Sequence, residues 1–204
     1  MFYDTKLNNH NLKYNPFKAC VVPRPIGWIS SKSVNGIVNL APYSYFNAVA
    51  DIPPVIMFAS GFNPDGTKKD SIKNIEETGE FVVNIASFDQ KDQVSLSSSA
   101  LPYEVSEAEV FNIEMENSNF VAPPRVKASK ISLECKYIKT VPIMVEERLA
   151  SSELVLGHVI GVYIDDEIIV DGKIDMNKLK PISRLGYDEY ALIEKIFKIS
   201  RPIA

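Results

Sequence analysis

The sequence predicts a mainly β protein, a closed or nearly closed antiparallel barrel with a few peripheral helices. Three observations lead there. Strand-like apolar runs are short and numerous, helical patterns are few, and the best runs alternate residue by residue. In Phe81–Ala86, Phe81, Val83 and Ile85 fall on one face. In Ile131–Ile138, Ile131, Leu133, Cys135 and Tyr137 are expected inward, and Ser132, Glu134 and Lys136 outward. No repeat or low-complexity linker interrupts the chain, so residues 1–204 read as a single domain.

The elements follow in order. Ile26–Ser31 is an apolar strand that leads into a turn at Asn35-Gly36. Val55–Ser60 is a strand whose start is marked by Pro53-Pro54. Ser71–Thr78 is a helix, with Asp70 as its N-cap, Ile72 and Ile75 on its buried face and Gly79 as its stop. Asp89–Ser97 and Glu104–Ala108 are further short helices. The polar segment Pro102–Pro124 reads as an excursion outside the barrel. Glu153–Ile164 is a long apolar strand, with bends or bulges expected at Gly157 and Gly161. Ile168–Val170 is expected to pair back across Asp165-Asp166. Tyr190–Ile199 fits a strand by its β-branched content and a helix by the spacing of Leu192, Ile196 and Ile199.

Composition narrows the chemistry. Hydrophobic residues make up 46% of the chain, enough for a globular core without a metal or disulfide staple. No apolar run is long enough for a membrane span and the N-terminal stretch has no signal-peptide pattern, so a cytoplasmic protein is expected. Cys20 and Cys135 lie far apart and read as reduced core thiols. The net charge of −4 and the absence of a basic stripe argue against nucleic acid as a partner, and against an oligonucleotide-binding barrel. With only His10 and His158, no metal-ligand set and no serine–histidine–acid arrangement is visible, and His158 among apolar neighbours reads as a barrel histidine. Neither GxGxxG nor a P-loop occurs. An enzyme of this composition needs a cofactor to carry the difficult chemistry.

Three stretches could hold one. In "GTKKDSIKNIEETGEF", Lys68, Lys69 and the Ser71 hydroxyl converge on a helix N-terminus, whose free N–H groups suit a phosphate. The same residues also make an ordinary, well-capped surface helix. In "NLAPYSYFNAVADIPP", Tyr43, Tyr45 and Phe46 mingle with Ser44 and Asn47 between prolines, a rigid surface for a flat heterocycle or an aromatic core strand. In "VVPRPIGWISS", Ser30 and Ser31 end a strand and can donate to an anion, and Arg24 is clamped between Pro23 and Pro25. Those prolines fix the arginine's backbone, which suits either a ligand contact or an intramolecular or intersubunit salt bridge. Arg184, Tyr187 and Tyr190 form a late polar-aromatic cluster with a packing or lid role.

Taken in order, "PRPIGWISS", "NLAPYSYFNAV", "PPVIMFAS", "KDSIKNIEETGEFVVNI", "LVLGHVIGVYIDD" and "RLGYDEY" resemble the flavin reductase-like family of FMN-binding split barrels, in particular its flavoredoxin-type branch. The resemblance spans Val21 to Tyr190. It implies a Greek-key split barrel, a homodimer, and FMN bound near the subunit interface. It further implies that Trp28, Ile29, Ser30 and Ser31 line an FMN strand, that Ser44, Tyr45, Phe46 and Asn47 border the isoalloxazine, and that Ser60 and Gly61 lie near its edge or the ribityl chain. Lys68 and Ser71 would hold the phosphate, Asp70 would place the helix end, and Arg24 would face the flavin pocket or the partner subunit. The implied activity is that of an NAD(P)H-dependent oxidoreductase passing electrons through FMN to free flavin, ferric iron or a protein. The alternative is an FMN electron carrier with no nicotinamide site of its own.

Overall fold

The computed structural model describes residues 1–200 and Pro202. Seven strands form the main sheet: β1 (Gly27–Lys32), β2 (Val38–Tyr43), β3 (Phe46–Asp51), β4 (Pro54–Gly61), β5 (Glu80–Ile85), β6 (Ile131–Val145) and β7 (Arg148–Ile164). Their spatial order is β2-β1-β5-β6-β7-β4-β3, and every pairing is antiparallel. The two edge strands, β2 and β3, are consecutive in the chain. The link between them is tied to β4 by the Ala59 N–H, which donates to the Tyr45 carbonyl at 2.8 Å. The sheet therefore curls until its first and last strands meet at that link.

The inner face carries one hydrophobic cluster, including Ile29, Phe58, Phe81, Val83, Cys135 and Val155. Helix α1 (Asp70–Thr78) closes one end of the curl with Ile72 and Ile75, both fully buried. Gly79 ends it in the left-handed region (φ 76°), where its N–H reaches the Ile75 carbonyl. Gly157 lies over the Phe81 ring so closely that an added Cβ would stand 2.3 Å from Phe81 Cζ. The ladder between β6 and β7 shifts register beside Gly157 and again beside Gly161, as their positions in the sequence predict.

The outer face departs from the alternation reading. Ser132 and Glu134, expected to face solvent, are buried. The segment expected as a polar excursion lies over them. Glu134 accepts the N–H groups of Asn119 and Phe120, and Asn84 joins Ser132 to the Val126 N–H. Helix α2 (Lys91–Leu96) and helix α3 (Glu107–Val110) belong to this layer. Val94, Ala108, Ile113 and Val126 pack with Trp28 and Leu40 into a second cluster. A strand covered on both faces need not alternate in polarity, provided its polar groups find partners.

Other differences are local. Cys20 is exposed at the end of the helical turn Phe17–Cys20, and only Cys135 is buried, where desolvation holds its thiol far above the ordinary range. Ile169–Val170 pairs forward with Lys173–Ile174 rather than back across Asp165-Asp166. Tyr190–Leu192 is a strand on Ile182–Arg184, which also pairs Arg24–Pro25; Ile193–Ser200 has no regular structure. Among the described residues, no helix is long and apolar enough to cross a membrane.

Candidate functional site

The N-terminus of α1 opens into a cleft of about 630 Å³. Its floor is β2 and the end of β4, through Asn39, Tyr43, Ser60 and Gly61. One wall is Lys69, Asp70 and Ser71; the opposite wall is the loop Ser97–Leu101 with Tyr103 and Glu107. Helix α1 starts one residue earlier than its sequence signal. Lys69 stands at the cap position in an extended conformation and supplies no side-chain cap, and Asp70 is the first helical residue. The bridge between Phe62 and Lys68 keeps the chain extended up to that point. Lysine's side chain carries no acceptor; the Ile72 N–H turns back to the Lys69 carbonyl at 2.9 Å, and the Asp70 and Ser71 N–H groups are left for whatever enters the cleft.

A polar network holds the cleft in shape. The Asn39 amide donates to Ser71 Oγ at 2.7 Å. The Ser71 and Ser60 hydroxyls both act on Tyr43, whose phenol is pushed up by burial against their pull. The Tyr43 ring packs on Phe58 at 4.9 Å. On the far wall, Tyr103 donates to Asn74 Oδ1 at 2.8 Å, with Lys73 Nζ 3.9 Å from its ring. Ser97 is fixed from behind by Trp28, whose indole N–H reaches its hydroxyl at 2.9 Å.

The charges in the cleft are mixed. Lys69 lines it, and among the described residues no carboxylate lies within ion-pair distance of its ammonium. Asp65, Asp70 and Glu107 line it too. Hydrogen bonds from Thr67 hold Asp65 low. Burial raises Asp70, opposed by Lys69 and Lys73 and reinforced by Glu104. Burial also raises Glu107, opposed by the Leu40 N–H and reinforced by Asp70.

The residues singled out from the sequence are dispersed. Ser60, Gly61, Asp70 and Ser71 meet in the cleft. Lys68 does not line it. Its ammonium is held by Glu76 at 2.6 Å and Glu153 at 3.3 Å. Those two carboxylates raise it, although burial acts the other way. The two lysines part because successive side chains of an extended segment point in opposite directions. Trp28, Ile29, Ser30 and Ser31 are fully buried in an interior strand: Ser30 donates to the Pro124 carbonyl, and Ser31 accepts from Asn74. They build the wall behind the cleft rather than its surface.

Ser44, Tyr45, Phe46 and Asn47 line a different groove of about 650 Å³, with Met57, Ile143 and Leu154. Arg24 borders that groove, but its two terminal guanidinium nitrogens are spent on three backbone carbonyls, those of Lys18, Val21 and Leu185, at 2.6–2.8 Å. The arginine between two prolines is thus a clamp that ties the chain's entry to its C-terminal sheet. Lys69 is one of the two lysines read at the helix N-terminus and Tyr43 one of the aromatics of the second stretch; Asn39, Glu107 and the serines at 97–99 were not assigned to the site by sequence. Of these, the run "SLSSSA" is the legible signal: small hydroxyl side chains after a helix usually face solvent, as Ser98 and Ser99 do, whereas Ser97 is buried against the Trp28 indole.

A model of the flavin reductase-like domain matches residues 19–177 of this chain. A protein of Halalkalibacterium halodurans is 36% identical over 201 residues, covering 97% of this chain and 96% of its own. Nitrilotriacetate monooxygenase component B from Bacillus cereus superposes with a TM-score of 0.90 at 30% identity, covering 98% of each chain. The 2-nitrobenzoate 2-nitroreductase of Pseudomonas fluorescens does so with a TM-score of 0.83 at 26% identity, covering 99% of this chain and 96% of that one. The curled antiparallel sheet, whose edges meet at Ser44-Tyr45, is accordingly a split barrel. With the matched domain spanning most of the chain, this protein belongs to the flavin reductase-like family and is a flavin-related oxidoreductase.

Proposed function

We propose that the protein binds FMN in the cleft at the start of α1 and passes electrons from NAD(P)H to a second acceptor, a small molecule such as free flavin or ferric iron, or a protein. The observation that carries this reading is the uncapped α1 N-terminus, with Lys69 and Ser71 beside it, opening into a cleft of about 630 Å³. That volume is within the range of cofactor sites, and the donors suit one phosphate group. Ser71 and the first N–H groups of α1 would hold the phosphate, with Lys69 as its counter-charge. Asn39, Ser60 and the serines at 98 and 99 offer hydroxyl and amide partners to a polyol chain.

Bound flavin supplies reversible acceptance of a hydride, which needs no protein base. The protein's part is to bind, orient and shield. Tyr43, packed on Phe58, gives the floor a rigid aromatic edge, and Trp28 sets the position of the Ser97 loop.

A homodimer is part of the proposal. The second groove is lined by half-buried Tyr45, Met57 and Leu154 and exposed Ile143, and the β6–β7 tip carries exposed Met144, Val145 and Leu149. A second copy covering these would bury apolar surface that is costly to leave in water.

Purified protein should be yellow and release FMN rather than FAD on denaturation. Anaerobic addition of NADH or NADPH should bleach it. A colourless protein that takes up no added FMN would overturn the reading, and slow bleaching by both nucleotides would leave an electron carrier served by another reductase.

A further inference from the structure

Three carboxyl groups line the cleft, those of Asp65, Asp70 and Glu107, and Glu107 is the most buried of them. Glu107 is 5% exposed, on the wall facing Ser71 and Lys69, and its Oε2 accepts the Leu40 N–H at 2.9 Å. That bond occupies one oxygen and holds the carboxyl against β2. An ionised carboxylate there would repel a bound phosphate through a poorly screened, low-dielectric path. A neutral carboxylic acid would instead offer an O–H donor to the phosphate while its carbonyl oxygen keeps the Leu40 bond.

We propose that Glu107 meets the flavin phosphate as a neutral acid, so that the cleft takes up a proton when it takes up a phosphorylated flavin. The inference rests on the cleft being the flavin site. Several other ionisable groups surround Glu107. Asp70 and Lys69 face it from the start of α1, Tyr43 from β2, Asp65 from the loop after β4, and Tyr103 from its own wall. Glu104 and Lys73 act on Asp70 in opposite directions. Burial and Asp70 both favour the protonated form of Glu107, and an arriving phosphate adds to that preference. Asp70 is the weaker candidate for the proton, because it sits in the first helical turn beside two lysines.

The test measures dissociation constants for FMN and riboflavin from pH 5.5 to 8.5, for the native protein, Glu107→Gln and Asp70→Asn. Glutamine keeps the acceptor for Leu40 and stays neutral at every pH. The ratio of native to Glu107→Gln FMN dissociation constants should rise about tenfold or more with pH. The phosphate's own ionisation cancels in that ratio. Riboflavin, without a phosphate, should show a ratio flat in pH. Calorimetry of the native protein at pH 7.5, in two buffers of different ionisation enthalpy, should show proton uptake with FMN and none with riboflavin; this arm stands even if the glutamine variant fails to fold. An FMN ratio flat in pH, a pH dependence abolished by Asp70→Asn instead, or an equal uptake with riboflavin would each overturn the role of Glu107 while leaving the flavin site intact. Failure of native protein to bind either flavin at any pH would overturn both.

Discussion

Replacing Lys68 or Lys69 by alanine removes the same side chain from adjacent positions, yet the two losses should register in different measurements. Lys69 lines the cleft without an ion-pair partner among the described residues, so its removal should leave folding nearly untouched. A charge-assisted bond to phosphate is worth roughly 1.5–3 kcal/mol, which predicts a ten- to hundredfold weaker FMN complex. Lys68 bridges Glu76 on α1 and Glu153 on β7. Glu153 is 6% exposed, and its Oε1 already lacks a hydrogen-bond partner. Removing Lys68 leaves that carboxylate buried and unpaired. For a fully buried pair the cost would be about 3–5 kcal/mol. Lys68 is 40% exposed, so water and salt screen part of the loss, and about 1–2 kcal/mol is expected. That corresponds to a melting point several degrees lower for a chain of this length. The assay is flavin fluorescence titration with FMN and riboflavin beside thermal unfolding. Lys69→Ala should weaken FMN alone, and Lys68→Ala should lower the melting point and affect both flavins alike. If Lys68→Ala weakened FMN selectively at an unchanged melting point, the phosphate would lie on the other side of the lysine pair.

Three further outcomes are expected. Light scattering across a concentration series should give twice the chain mass, and Ile143→Glu should shift it toward a single chain; a single-chain mass for the native protein would refute the dimer. Glu107 is raised in the folded state, so the fold binds more protons than the unfolded chain and its stability should fall as pH rises from the ordinary glutamate range through the raised value; denaturant unfolding of Glu107→Gln should lack that decline, and parallel curves would count against it. Gly157→Ala should cost about 1–3 kcal/mol, because its Cβ would meet the Phe81 ring at 2.3 Å in a packed core, and an unchanged unfolding midpoint would refute that contact.

What the sequence alone determined were the features set by near neighbours in the chain. Helix α1 was legible because Ile72, Ile75 and Gly79 encode its face and its stop within a few residues. The bulges at Gly157 and Gly161 were legible because glycine within an apolar strand marks a backbone demand. The barrel class followed from the number and shortness of the strands, and the family from six motifs in order.

Tertiary structure decided whatever depends on which surface meets which. The burial of Ser132 and Glu134 came from the 102–126 segment folding over β5 and β6, a covering layer that their own alternation cannot announce. Arg24 looked equally fit for a ligand or a salt bridge, and only the approach of the Lys18, Val21 and Leu185 carbonyls made it a clamp. Lys68 and Lys69 are the same residue type in adjacent positions. Their opposite directions from an extended segment put Lys68 against Glu76 on α1 and Glu153, 85 residues later in the chain, and leave Lys69 without an ion-pair partner among the described residues. The cleft itself joins β2, the α1 start and the 97–107 segment. Local sequence sets the conformation of each of these pieces. Their convergence is a consequence of packing around a shared core, where long-range contacts determine which polar side chains are left to face a ligand.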